Sequence, residues 1–194
     1  MRLGLSTEGA RVMTLPYPKE YDRPAAIGAG ARLRIRPVRP DDEDRLIEMT
    51  EHLTPEDRRL RFFYQMRGLS HELAARFARI DYDLEMALVA TPLDGDTVLG
   101  VARYAADASA QRAEFALAVR SDWHHRGLGQ LLMTRLIEAA KARGITTLYG
   151  DVLRENADMF DMCRHLGFTT KSSLDEPGIL HLTLTLSDQG KTAP

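Results

Sequence analysis

The fold is decided by residues 114–130, which read EFALAVRSDWHHRGLGQ. The first six of these residues predict a strand that is apolar enough to lie centrally in a sheet. Apolar residues then recur at helical spacing, which predicts a helix over 127–143. Gly127 and Gly129 stand at the mouth of this helix, so its first N–H groups can approach a ligand closely. Because those N–H groups have no partners within the helix and the macrodipole adds positive charge, the stretch predicts a phosphate or pyrophosphate site.

Two familiar phosphate-binding motifs do not fit this stretch. A Walker loop requires Gly-Lys-Ser or Gly-Lys-Thr, and neither is present. A dinucleotide-binding fingerprint requires a third glycine, but position 132 is Leu132. On the pattern alone, a helix that simply begins in a tight turn remains an open alternative.

The rest of the chain predicts a mixed α/β sheet. Residues 86–90 and 98–104 flank an Asp-Gly turn, which is typical of an antiparallel hairpin. Further strands are predicted over 33–36, 147–152, from 168 onward and over 179–186, with helices beginning near residues 40, 54, 70 and 156. Hairpins together with strand–helix–strand segments favour a mixed sheet over an all-parallel one.

Composition narrows the class of protein. The chain has 194 residues, 44% of them hydrophobic and 28% charged, which suits one globular domain with a full core. The net charge of -2 predicts neither a nucleic-acid partner nor a membrane partner. The single cysteine, Cys163, excludes an intrachain disulfide, and the absence of an apolar signal-like run favours a cytoplasmic protein. His71 begins an HExxH-like run that lacks its second histidine, so no metal site is predicted.

Three segments are predicted along the chain. Residues 1–30 carry Gly, Pro and scattered charge without periodicity, and they are interpreted as an N-terminal arm or linker. Residues 31–187 form the predicted domain, and residues 188–194 form a C-terminal tail.

The central loop carries a family resemblance. Arg126-Gly127-Leu128-Gly129 after an apolar strand resembles motif A of the GNAT superfamily, Gln/Arg-x-x-Gly-x-Gly/Ala, with His124 as a departure at its first position. The strand 147–152, Asn156 and a helix that closes in Leu166-Gly167-Phe168 match the downstream spacing. The resemblance implies a GNAT fold: a mixed, mostly antiparallel twisted sheet of about seven strands flanked by helices, with a splay between two central parallel strands. It also implies acetyl-CoA as the acyl-donor substrate, without a metal.

Other segments resemble one GNAT subgroup, the acetyltransferase domain of bacterial Pat-type protein lysine acetyltransferases. They are Tyr17-Pro18, residues 36–40, residues 58–63 and residues 113–116. The resemblance implies direct acetyl transfer, in a ternary complex, to a lysine of a protein such as acetyl-CoA synthetase or another acyl-CoA synthetase. A small-molecule amine acetyltransferase and a non-catalytic CoA-binding sensor remain open alternatives.

The resemblance implies Glu114 as the catalytic residue. A lysine amine has an ordinary pKa near 10.4 and is almost entirely protonated at neutral pH, so a general base beside it is expected. The Pat-type subgroup carries its catalytic glutamate at the start of the corresponding strand. Without the resemblance, the spacing alone favours an exposed charge at a strand end.

The implied cofactor contacts follow the same motif. The backbone of Leu117, Ala118 and Val119 is expected to pair with the pantetheine amides of CoA, which can mimic an added strand; a fully paired ladder is the alternative. The residues expected at the CoA pyrophosphate are His124, His125, Arg126, Gly127, Leu128, Gly129 and Gln130.

Two further residues complete the expected contacts. Asn156 is a helix N-cap, a partner of the CoA arm, or both. Cys163 stands where many GNAT members have a tyrosine that protonates the leaving thiolate. Because a thiol such as that of CoA has a pKa near 8.5, water can protonate it and no essential general acid is predicted. Cys163 is interpreted as a small buried hydrophobe, with a mixed disulfide to CoA as the alternative.

Overall fold

A computed structural model of the chain describes residues 16–28, 30–63, 68–173 and 176–186. Over these residues it contains eight strands and five α-helices. The strands are β1 (Arg23–Ile27), β2 (Ala31–Pro37), β3 (Glu85–Pro92), β4 (Gly100–Ala106), β5 (Arg112–Val119), β6 (Thr147–Leu153), β7 (Thr169–Ser172) and β8 (Ile179–Thr185). The helices are α1 (Glu43–Glu51), α2 (Pro55–Phe62), α3 (His71–Ala78), α4 (Leu128–Ala142) and α5 (Ala157–His165).

The strands form one mixed sheet in the order β1-β2-β3-β4-β5-β6-β8-β7. Among the strands of the described residues, only the central pair, β5 and β6, is parallel, and every other neighbouring pair is antiparallel. The mixed, mostly antiparallel sheet predicted from the sequence is therefore confirmed. In the described part of the chain the sheet has eight strands rather than about seven.

The first strand lies inside the segment that the sequence assigned to an arm. β1 pairs with β2 from Arg23↔Ile35 to Ile27↔Ala31, so the sheet begins before residue 31. The strand escaped prediction because it is short and holds a proline near its start, and a proline within a strand is largely confined to strands at the edge of a sheet. Residues 1–15 and the predicted tail, residues 188–194, lie outside the described residues.

The core is centred on α4, which packs against β3, β4 and β5. Its apolar stripe, Leu128, Leu132, Met133 and Leu136, is at most 1% exposed. This burial explains the helical periodicity that marked the helix in the sequence. The structure gives α4 the bounds Leu128–Ala142, which lie within one residue of the predicted 127–143.

The parallel pair opens along its length. β5 and β6 are in register only from Arg112↔Thr147 to Glu114↔Tyr149. Beyond these pairs β5 continues to Val119 and β6 to Leu153, so the two strands separate. The predicted splay between two central parallel strands is present, and Glu114 stands at its closed end.

Candidate active site

A cleft of about 360 Å³ lies in the opening between β5 and β6. Its floor is β5 from Glu114 to Val119, and its walls come from α2, from the loop before α4 and from the start of α5. The sequence-predicted residues that line it are Glu114, Leu117, Ala118, Val119, His124, His125, Gly127, Leu128, Gly129, Gln130 and Asn156. The fold therefore gathers most of the predicted site residues around one cavity.

The backbone of β5 offers hydrogen-bonding groups to this opening. The amide of Arg120 donates to the Leu99 carbonyl at 2.9 Å, and the amide of Asp107 donates to the Arg112 carbonyl at 2.8 Å. Even-numbered residues of β5 therefore direct their backbone groups at β4, and odd-numbered residues direct theirs at the splay. By this alternation the amide of Leu117 faces the opening, whereas the backbone of Ala118 faces β4.

The side chain of His124 hydrogen-bonds to the backbone carbonyl of Val119, the last residue of β5. Its Nε2 lies 2.9 Å from the Val119 carbonyl oxygen, so the ring donates a hydrogen bond to the end of β5. This contact ties the start of the loop to the strand and gives a role to the histidine that departs from the GNAT motif. The backbone groups of Leu117 and the amide of Val119 remain directed at the opening.

The loop turns sharply before α4 begins. Gly127 has a φ of 84° and caps the helix in the left-handed region, which favours glycine. The first helical bond runs from the Leu131 amide to the Gly127 carbonyl at 3.0 Å. The amides of Leu128, Gly129 and Gln130 precede this bond and point out of the helix mouth. The helix begins at the cleft, where an anionic group would meet these donors.

Gly129 fits tightly between the strand and α5. A Cβ atom placed on it would lie 3.3 Å from Leu117 Cδ2 and 3.5 Å from Met162 Sδ. Glycine at this position lets the helix mouth approach β5 closely, so the outward-pointing amides lie directly over the splay.

Glu114 is half-buried at the closed end of the splay. Burial raises the pKa of its carboxyl, and the charge of the cleft residue Asp151 raises that pKa further. A carboxylate with a raised pKa is a better proton acceptor than an ordinary glutamate.

Two of the predicted contacts do not line the cleft. Arg126 is at its margin, with its guanidinium 5.0 Å from the ring centroid of the lining residue Trp123. Cys163 is 0% exposed in the core, and burial raises the pKa of its thiol to about 12. A mixed disulfide needs an accessible thiolate, so the inclusion of Cys163 among the cofactor contacts is corrected. Its interpretation as a buried hydrophobe agrees with the structure.

Asn156 acts as the N-cap of α5. Its Oδ1 accepts a hydrogen bond from the Met159 amide at 3.2 Å. The residue also lines the cleft, so the cap fixes a polar side chain at the edge of the opening.

Helix α2 and its C-cap residue, Phe63, supply cleft residues that the sequence did not identify, Asp57, Leu60 and Phe63. The Thr54 amide, at the start of α2, donates to Ser121 Oγ at 2.8 Å, and the same hydroxyl hydrogen-bonds to Asp57. No local pattern signals this arrangement, because α2 and Ser121 are far apart in the sequence.

A second link joins α2 to the other side of the splay. Arg59 Nη1 donates to Glu155 Oε1 at 2.7 Å. Ser121 follows β5 and Glu155 follows β6, so α2 is bonded beyond the open end of both strands. The helix thereby spans the cleft.

Comparison with known proteins decides the family. The sequence profile described as "Acetyltransferase (GNAT) family" matches residues 47–168, which include the loop, α4, β6 and α5. The chain belongs to the GNAT acetyltransferase family. The chain is 32% identical to Acetyltransferase PA5475 of Pseudomonas aeruginosa over 149 residues. This aligned region covers 76% of the chain and 80% of that protein.

Two Pat proteins are also similar to this GNAT chain. The GNAT domain of S. lividans PAT superposes with a TM-score of 0.81 at 29% identity, covering 88% of the chain and 99% of that domain. Acetyltransferase Pat of Mycolicibacterium smegmatis is 28% identical over 145 residues, which is 74% of the chain. The chain spans 43% of the length of that protein.

Membership of the GNAT family identifies acetyl-CoA as the acyl-donor substrate. The fold is shared with yncA of Salmonella typhimurium, solved with its cofactor acetyl-CoA, at a TM-score of 0.62 and 21% identity over 84% of the chain and 97% of that protein. Within the described residues, no group of three or more His, Cys, Asp or Glu side chains could hold a metal ion. In the same part of the chain, no helix is long and apolar enough to cross a membrane.

Replacing Gly129 with Val is expected to weaken acetyl-CoA binding at least tenfold, which corresponds to about 1.4 kcal/mol. The added side chain would press on Leu117 and Met162 and lift the helix mouth from the strand. Calorimetric titration with acetyl-CoA measures the effect. Gly178→Val is the matched control, because no atom lies within 4 Å of a Cβ at that glycine. Equal affinities in the two variants would refute the role of the helix mouth.

Proposed function

We propose that this GNAT enzyme transfers the acetyl group of acetyl-CoA directly to a lysine side chain of a protein, with Glu114 as the general base. The observation that carries the proposal is the position of Glu114. It is a half-buried carboxyl with a raised pKa, at the closed end of a splay whose floor presents the Leu117 amide.

The donor would lie along the splay. Its pyrophosphate would accept hydrogen bonds from the helix-mouth amides of Leu128, Gly129 and Gln130, where the helix dipole also favours an anion. Val119 follows Glu114 by five steps along the extended strand β5, which is about 17 Å at 3.3 Å per step. The pantetheine arm would cross this length and deliver the thioester beside Leu117 and Glu114.

The chemical step is an attack by the neutral amine nitrogen on the thioester carbonyl carbon. Glu114, directly or through one water, accepts the proton that the nitrogen loses. The Leu117 amide would donate a hydrogen bond to the carbonyl oxygen as negative charge develops there. The carbon–sulfur bond then breaks, and the CoA thiolate takes a proton from water because its pKa is close to 8.5.

The charge of the cleft supports a cationic acceptor. Asp151 lines it together with Glu114 and its charge acts on that carboxyl, and a lysine approaches as an ammonium ion. The resemblance to Pat-type protein lysine acetyltransferases supports a protein acceptor, and it is consistent with the similarity to two Pat proteins. By the same resemblance, acetyl-CoA synthetase or another acyl-CoA synthetase is the proposed substrate. The lone cysteine of the sequence supports a cytoplasmic site for the reaction.

The test is incubation of the protein with isotopically labelled acetyl-CoA and a cell lysate, followed by mass spectrometry of proteins and of small amines. Label on specific protein lysines, absent with Glu114→Gln, is the expected result. Label confined to small amines would replace the proposal with a small-molecule acetyltransferase. Tight acetyl-CoA binding without any labelled acceptor would favour a CoA-binding sensor.

A further inference from the structure

At the splay, the two faces of the sheet differ in how much space they leave for an acyl group. On one face the Phe115 ring packs against Phe168, with 4.9 Å between the ring centroids. The Phe115 ring also covers Gly150, where a Cβ atom would lie 2.9 Å from Phe115 Cε1. Phe115 is only 6% exposed, so its ring closes this face.

The opposite face is open and has a floor of small residues. Side chains alternate along β5, so Glu114, Ala116 and Ala118 all point away from the face that Phe115 closes. Both alanines line the cleft. A thioester beside the Leu117 amide that directs its acyl chain to the face carrying Glu114 places that chain over Ala116.

Helix α2 lies over this alanine floor and runs back along β5. The amide of Thr54, before its first turn, bonds to Ser121 beyond the end of β5. Near the other end of α2, Arg61 lies close enough to Glu114 for its charge to oppose the rise in the pKa of that carboxyl. Leu60 and Phe63 flank Arg61 and line the same cleft.

The position of α2 is fixed on both sides of the splay. Beyond the hydrogen bond at Ser121, Arg59 bonds to Glu155 on the far side of the splay. Because α2 is held in this way, its side chains cannot move aside freely when a larger acyl group enters the cleft.

We infer that Leu60 and Phe63 form the wall of an acyl pocket above Ala116, and that this pocket selects short acyl chains. Acetyl and propionyl groups fit between wall and floor, whereas longer straight chains collide with the wall. This inference rests on the proposed function, because the position of the thioester follows from it. It adds Leu60 as a residue that determines donor specificity.

The experiment measures the affinity of the full chain for acetyl-, propionyl-, butyryl- and hexanoyl-CoA by calorimetric titration. A single methylene in a close-fitting pocket changes discrimination by about tenfold or more, so the wild type should bind hexanoyl-CoA at least tenfold more weakly than acetyl-CoA. Leu60→Ala should raise the hexanoyl-to-acetyl affinity ratio about tenfold. Leu60→Trp should lower the propionyl-to-acetyl ratio by a similar factor.

Leu73→Ala is the matched control, because Leu73 packs against the core from α3 and does not line the cleft. It should leave every ratio at the wild-type value. Equal wild-type affinities for acetyl- and hexanoyl-CoA would overturn the inference, and so would identical ratios in the Leu60 and Leu73 variants. Because the titrations need no acceptor, they stand even if Glu114→Gln or the lysate experiment refutes the proposed chemistry.

Discussion

Glu114→Gln is expected to lower kcat for acetyl transfer by about 100-fold or more, the usual contribution of a positioned general base. Glutamine keeps the size and the hydrogen-bonding reach of the side chain but cannot accept a proton. Acetyl-CoA affinity should remain at the wild-type value, because the proposed donor contacts lie on the Leu117 amide and the helix mouth. Steady-state kinetics and calorimetric titration separate the two effects.

The pH dependence of the wild type gives a second measurement of the same group. Only the deprotonated carboxylate can act as a base, so activity should fall as the pH drops through the pKa of Glu114. Burial raises that pKa, and the acidic limb of the rate profile should therefore lie above the ordinary glutamate value of about 4.3. The Glu114→Gln variant should lack this limb.

Glu138→Gln provides the control for the substitution itself. Glu138 lies on α4 and forms an exposed ion pair with Arg135 at 3.0 Å, away from the cleft. Its replacement should leave kcat and the acidic limb unchanged. A wild-type kcat in the Glu114→Gln variant would show that Glu114 is not the general base.

Helix α4 and the β3–β4 hairpin were predictable because the residues that specify each of them are close together in the sequence. The apolar stripe of α4 and the glycines that flank it gave its bounds to within one residue. The Asp-Gly turn likewise predicted the antiparallel β3–β4 hairpin, and this pairing is confirmed. In these segments the chain carries both the periodicity and the turn chemistry that specify the structure.

The role of α2 could not be predicted, since it depends on contacts between distant parts of the chain. Arg59 and Glu155 are 96 residues apart, and Thr54 and Ser121 are 67 residues apart. The sequence of α2 indicates a helix with a Thr54 cap, but nothing in it indicates which strand the helix will cover. Only the tertiary structure brings Leu60 and Phe63 to the same cleft as Glu114.

Arg36 and Asp42 form an ion pair on which stability is expected to depend strongly. Their side chains are 1% and 0% exposed. The guanidinium donates to both carboxylate oxygens, at 2.6 and 2.7 Å, and the Arg39 amide adds a third hydrogen bond at 2.8 Å. Such a pair is costly to break, because removing one partner leaves the other charge buried without compensation.

Asp42→Ala is therefore expected to lower the free energy of unfolding by about 3–5 kcal/mol. Denaturant unfolding followed by circular dichroism measures the change. Asp41→Ala is the matched control, because Asp41 is 68% exposed and its loss should cost about 0.5 kcal/mol or less. A similar cost for both variants would show that the buried pair contributes no more than a surface charge.

The same pair predicts how stability depends on pH. Burial alone would raise the pKa of Asp42, but the hydrogen bonds and charge of Arg36 outweigh it and hold the pKa below the ordinary value. The stabilisation is then fully present above the unfolded-state pKa of about 3.9, and it is lost as the pH falls through the lower folded-state pKa. The stability difference between wild type and Asp42→Ala should consequently shrink in strong acid. A difference that stays constant down to pH values below both pKa values would mean that the Asp42 carboxylate is not the source of the stabilisation.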